Sequence, residues 1–196
     1  MMTAEKLRFS SAQLIFHHKG VAMFAYAHVE AKSNNFSLEV PCRYLDWQVS
    51  SMTQIAKVLN QLFSEVVDLT LDYREHTLSS EWHNQADRTQ WRELLGTFTN
   101  VKILRVHNGL VGELSRSLQC DEEPSPSLDV LPELKELVCP TGCVDDKTFS
   151  SFIHERDVTG QPVSLIGKAS PILQTHYTLY SSSGVTYIEP DPDPLP

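Results

Sequence analysis

Glu81, His83 and Asp87 lie within seven residues of one another in the stretch SSEWHNQADRTQW. Two carboxylates and an imidazole are ligands that zinc and similar cations use, and a metal held there would activate water for hydrolysis. The spacing matches no established ligand pattern, and ligands must be aimed at one point by supporting hydrogen bonds. Asp87 also stands directly before a helical apolar pattern, where it reads as an N-cap. Trp82 and Trp91 then read as anchors of a long loop. A hydrolase or metalloenzyme built on Glu81, His83 and Asp87 is therefore the alternative reading.

Other chemistry-bearing residues lead to the same place. Cys139 and Cys143, with His154 downstream, suggest zinc, but no second C-x-x-C or H-x-x-x-H pair accompanies them. Cys139 falls at an apolar position of a repeated pattern, where a small thiol packs well. His17-His18 reads as part of a surface turn. No G-x-S-x-G elbow is present. The sequence thus predicts no catalytic residue, no metal ligand and no cofactor.

The elements that would position these residues are bounded by composition. A chain of 196 residues with 41% hydrophobic content supports one domain with a real core. A net charge of −9 repels phosphate backbones over a Debye length of about 8 Å, which argues against nucleic-acid binding. The longest apolar runs, such as 21–29, fall far short of the roughly 20 residues of a membrane span. Four cysteines without a signal peptide fit a reducing cytoplasm or nucleus.

Along the chain, SAQLIF and VAMFAYAHV, separated by HHKG, predict a strand pair. FSLEVP alternates with period 2 and predicts a half-buried strand that Pro41 limits or places at an edge. Met52, Ile55, Val58, Leu59 and Leu62 predict an amphipathic helix over 51–63. Trp91, Leu94 and Leu95, with Asp87 before them and Gly96 after, predict a second helix. Leu110, Val111, Leu114 and Leu118 share one face of a third. Asp145 is placed to cap a fourth, which carries Phe149, Phe152 and Ile153 ahead of a strand VSLIG. PILQTHYTLY is apolar enough for a last strand or cap. The acidic, proline-rich end over 181–196 is expected to be disordered, leaving one domain over 1–180.

The most informative feature is a stencil that occurs three times: Val66-x-x-Leu69-x-Leu71, Val101-x-x-Leu104-x-Val106 and Leu134-x-x-Leu137-x-Cys139. Each copy carries a large apolar residue three positions earlier: Phe63, Phe98 and Leu131. This is the L-x-x-L-x-L core of a leucine-rich repeat, in which strand-plus-helix units bury their apolar faces by stacking on one another. The predicted fold is α/β, a leucine-rich-repeat-like solenoid with a curved parallel sheet. Two further units are placed at Leu38 and Val40 in front and at Val163 and Leu165 behind. The copies are 35 and 33 residues apart (104 − 69 and 137 − 104), longer than standard repeats of about 20–29. Side chains alternate across a strand, so the L-x-L pair faces the helices and its neighbours face the open side. Thr70, Asp72, Ile103, Arg105, His107, Glu136 and Val138 are accordingly the expected contact residues for a protein or peptide partner. Arg105 reads as a solvated contact whose loss would leave the melting point nearly unchanged.

The run DYREHTLSSEWHNQADRTQWRELLGTFTNVKILRVHNGLVGELSRSLQ, followed by LPELKEL, resembles the region that follows the F-box in F-box proteins of mushroom-forming fungi. The resemblance spans roughly 36–165, and its most specific parts are SSEWHNQADRTQWRELL and FTNVKILRV. It implies target recognition by a ubiquitin ligase subunit, whose F-box would grip a Skp-type adaptor. Nothing between Met1 and Phe36 has the helical, leucine-proline character of an F-box. The chain is therefore expected to be a noncatalytic recognition half that lacks the adaptor handle.

Overall fold

The computed structural model describes residues 8–27, 36–74, 86–107, 109–119, 130–140 and 148–168. Among the described residues, seven strands form one sheet: β1 (Ser11–His17), β2 (Gly20–Tyr26), β3 (Phe36–Pro41), β4 (Asp68–Arg74), β5 (Ile103–Val106), β6 (Glu136–Pro140) and β7 (Ser164–Lys168). The helices among the described residues are α1 (Leu45–Val58), α2 (Asn60–Phe63), α3 (Arg88–Gly96), α4 (Leu110–Leu118) and α5 (Ser150–Val158). The sheet order is β3-β2-β1-β4-β5-β6-β7. β1, β4, β5, β6 and β7 run parallel, and β2 and β3 add on antiparallel at one side. The architecture is α/β with a mostly parallel sheet.

The three stencil copies occupy adjacent parallel strands in register: Leu69 pairs with Leu104, and Leu104 with Leu137. Every position of the stencil has a physical task. The first residue of each copy closes a turn that the large apolar residue three positions earlier opens, with Val66 N–H donating to Phe63 O, Val101 N–H to Phe98 O and Leu134 N–H to Leu131 O. After each turn the backbone enters a common ladder: Lys102 N–H donates to Val67 O, Lys135 N–H to Lys102 O and Ser164 N–H to Lys135 O, each at 2.9 Å. The L-x-L pairs then point into one core. Leu69, Leu71, Leu104, Val106, Leu137 and Cys139 are all buried, together with Trp91, Leu94 and Leu95 of α3 and Leu110, Leu114 and Leu118 of α4. The large residue that precedes each copy is buried as well, and the rings of Phe63 and Phe98 meet at a tilt of 47° with centroids 6.2 Å apart. Phe9 extends this aromatic line, 5.8 Å from Phe63.

Turn three is built differently. Leu131 has φ of +55°, a left-handed conformation that costs a non-glycine residue free energy and needs outside support. That support comes from Arg156 of α5, fully buried, whose Nη2 donates to Pro132 O and Leu134 O. Its guanidinium stands 5.9 Å from the Phe152 ring centroid. Burial pushes its pKa down, and the nearby carboxylates of Glu133 and Glu155 oppose that shift.

Several expectations need correction. The front unit expected at Leu38 and Val40 is not a parallel neighbour of β4. β3 is the antiparallel edge strand, and the place beside β4 belongs to β1, where Ala12 pairs with Leu69 and Leu14 with Leu71. At the back, Leu165 rather than Val163 aligns with Leu137, so the last interval is 28 residues (165 − 137). The first helix starts at Leu45, six residues before its expected start, and breaks at Leu59, where ψ of 17° departs from helical geometry before the short α2. α5 starts at Ser150 after Phe149, with no side-chain cap. The expected strand PILQTHYTLY and the acidic end lie outside the described residues.

The strand pair expected around HHKG is a hairpin, β1–β2, and Gly20 is required there by close approach rather than by turn geometry. It pairs with Pro41 of β3, and a Cβ at Gly20 would stand 2.4 Å from Val40 O.

Candidate interaction surface

The helices cover one face of the sheet. On the other, alternate residues of the strands form rows across the parallel part. Gln13, Thr70, Arg105, Val138 and Ile166 make one row, and Ser11, Asp68, Ile103, Glu136 and Ser164 make the next. Asp72 lies one step further along β4, and His107 follows β5, its N–H donating to Leu71 O at 2.9 Å. All seven expected contact residues thus belong to this face, but they are not equally accessible. Thr70, Ile103, Arg105, His107 and Glu136 are partly exposed, whereas Asp72 is 4% and Val138 3% exposed.

The face is organised by ion pairs between neighbouring strands and residues. Arg105 grips Asp68 with two nitrogens: Nη2 donates to Oδ2 at 2.8 Å, and Nε lies 3.0 and 3.1 Å from the two carboxylate oxygens. Side-chain exposures of 29% and 14% make this a part-buried pair with forked geometry, stronger than a solvated surface contact. The hydrogen bond to Asp68 raises the Arg105 pKa against the opposing effect of burial, and the charges of Asp68 and Glu136 add to the rise. Asp72 Oδ2 accepts from Arg74 Nε at 3.1 Å. His107 is held below its ordinary pKa chiefly by burial; Asp72 pulls the other way and Arg105 reinforces the drop. At neutral pH His107 is therefore a neutral imidazole, able to donate from one nitrogen and accept at the other.

β1 contributes residues to this face that its lack of the stencil concealed. Gln13 stands beside Thr70, and Ile15 beside Asp72. The signal was the alternation in SAQLIF, where Leu14 and Phe16 turn inward and Gln13 and Ile15 turn outward.

The alternative chemistry meets different surroundings. Asp87 caps α3 in a reciprocal arrangement: its Oδ1 accepts from Thr89 N–H at 3.1 Å while its own N–H donates to Gln90 Oε1 at 2.8 Å. Glu81, His83 and Trp82 lie outside the described residues. Trp91 is a core residue, edge-on to Phe16 of β1 at 5.4 Å, rather than a loop anchor. Cys139 is buried at its inward site, His154 lies on the exposed side of α5, and Cys143 is outside the described residues. His17 ends β1 and His18 lies in the hairpin turn. Among the described residues, no three His, Cys, Asp or Glu side chains are grouped to hold a metal ion, and no helix is long and apolar enough to cross a membrane.

Comparison of the chain with known proteins returned no matching family model, no matching curated protein and no matching solved structure.

Proposed function

We propose that this chain is a noncatalytic protein–protein interaction module that recognises a protein or peptide target on the open face of its parallel sheet. In this reading β4, β5, β6 and β7 with their helices are leucine-rich-repeat-like units, and β2–β3 closes the front of the stack. The single observation that carries the proposal is the group of partly exposed side chains, Thr70, Ile103, Arg105, His107 and Glu136, on the face opposite the helices, beside which Ile15, Asp72 and Val138 are buried. Ile103 sits at its centre between Asp68 and Glu136, beside the Arg105–Asp68 pair, giving an apolar contact within a mixed-sign polar frame. Such a surface suits a partner of complementary charge with an apolar anchor. The resemblance to the segment after an F-box supports a place in the recognition half of a ubiquitin ligase subunit. In this reading adaptor engagement requires an F-box.

The test is affinity capture in cells, comparing the wild-type chain with Ile103→Glu and with Lys57→Glu, which lies on the exposed side of α1. The proposal expects Ile103→Glu to lose a discrete set of captured proteins that Lys57→Glu retains. Joining an F-box upstream should add adaptor capture and ubiquitylation of the same set. An identical captured set for all three chains would remove the sheet face from the account.

A further inference from the structure

The outward residues of β4, β5 and β6 include three carboxylates, Asp68, Asp72 and Glu136, and two arginines, Arg74 and Arg105. Each arginine is held by one carboxylate: Arg105 by Asp68 at 2.8 Å and Arg74 by Asp72 at 3.1 Å. Glu136 is left over. It makes no hydrogen bond or ion pair among the described residues, and Arg105 attracts it only through space, because Nε and Nη2 of that guanidinium both turn to Asp68. His107, a neutral imidazole at neutral pH, supplies no cation. Lys102 and Lys135 are exposed one position before Ile103 and Glu136, out of phase with the outward residues and so at the rim of the opposite side. Lys168 pairs with Pro140, two rows from Glu136.

The neighbours of Glu136 are largely aliphatic. Ile103 adjoins it in the same row, and Val138 and Ile166 lie one row on. Val138 is buried, whereas Ile103 and Ile166 are partly exposed. A carboxylate in such a setting best receives a side chain with an apolar stem and a charged head, the construction of lysine and arginine. One strand spacing, about 4.8 Å, separates Ile103 from Glu136, so a single long side chain reaches both.

We infer that the target docked on this face presents a lysine or arginine side chain whose stem lies on Ile103 and whose charged head pairs with Glu136. Such a pairing depends on the sheet face being the binding surface, as proposed above, and adds the chemistry of the partner: a basic segment rather than an acidic one. An acidic segment would have to draw Arg105 from Asp68 or Arg74 from Asp72. Either exchange strips a carboxylate whose side chain is only 14% or 5% exposed of its donor, which is costly. A basic segment displaces nothing and meets the one outward carboxylate of these three strands that no arginine holds. The net charge of −9 also steers a basic segment toward the protein.

The experiment selects a random peptide library, displayed on phage, against the full chain. Selected peptides are then added to the chain carrying methyl-labelled isoleucine, with the Ile103 resonance assigned by Ile103→Val. Peptides that shift this resonance are bound at the face. Among them lysine and arginine should be enriched over the starting library, and their binding should weaken about tenfold or more on Glu136→Gln, a near-isosteric change at a partly exposed site. Face-bound peptides without that enrichment, or basic ones that Glu136→Gln binds undiminished, overturn the pairing and leave the sheet face standing. A selection in which no peptide shifts the Ile103 resonance overturns the face and the pairing together.

Discussion

Arg105 and Asp68 face each other across adjacent strands in a part-buried fork, which changes what a substitution at Arg105 measures. Arg105→Ala strips a largely buried carboxylate of its donors and is expected to cost about 1–3 kcal/mol in denaturant unfolding. The sequence alone suggested a nearly unchanged melting point, because nothing in ILRV reveals that Asp68 of another strand lies within reach. Ile103→Glu, one row over, is the cleaner probe of binding. His107 carries a pH signature. Its folded pKa lies below the unfolded value of about 6.5, so its contribution is fully present above that pH. As pH falls through 6.5 toward the folded pKa, the unfolded chain takes up the proton first and stability is lost. His107→Gln should therefore lose less stability than the wild type between neutral and mildly acidic pH in thermal melts across that range. An identical acid-side slope would show that the burial of His107 has no consequence for folding. The facing of these residues was legible from strand alternation, but their pairing was not.

At the scale of elements, the stencil was legible because each position has one dominant physical demand: a turn, an inward side chain, a second inward side chain. Leu104→Ala, at the centre of the core, should cost about 2–5 kcal/mol by transfer and cavity terms. The cap of α3 was equally legible, since Asp followed at the third position by Gln forms a reciprocal pair of hydrogen bonds. Asp87→Ala should cost about 0.5–2 kcal/mol, and circular-dichroism melts would detect it. A metal role for Asp87 would add an activity or metal-content change to that loss. β3 was misplaced for a physical reason. Period 2 reports that a strand is half-buried, as Phe36, Leu38 and Val40 are, but not which neighbour it pairs with or in what direction. The early start of α1 was hidden because Leu45, Gln48 and Val49 follow Pro41 closely and Gln48 is buried through its polar end. Its Nε2 donates to His17 O and Cys42 O, tying the helix to the hairpin.

For the molecule as a whole, the sheet places β1 where a repeat strand was expected from β3. Local alternation cannot disclose such an exchange, because parallel pairing of β1 with β4 joins residues more than fifty positions apart. The consequence is a continuous parallel face from β1 to β7, on which the proposed contacts of β4, β5 and β6 lie between Gln13 and Ile166. That face exists only if the stencil copies are neighbours in register. Backbone nuclear Overhauser effects in the perdeuterated chain test this directly. Cross-strand contacts linking Leu69 to Leu104 and Leu104 to Leu137 in a parallel pattern are the predicted result. Contacts that join β4 directly to β6, or that show an antiparallel pattern between any two of the three strands, would contradict it.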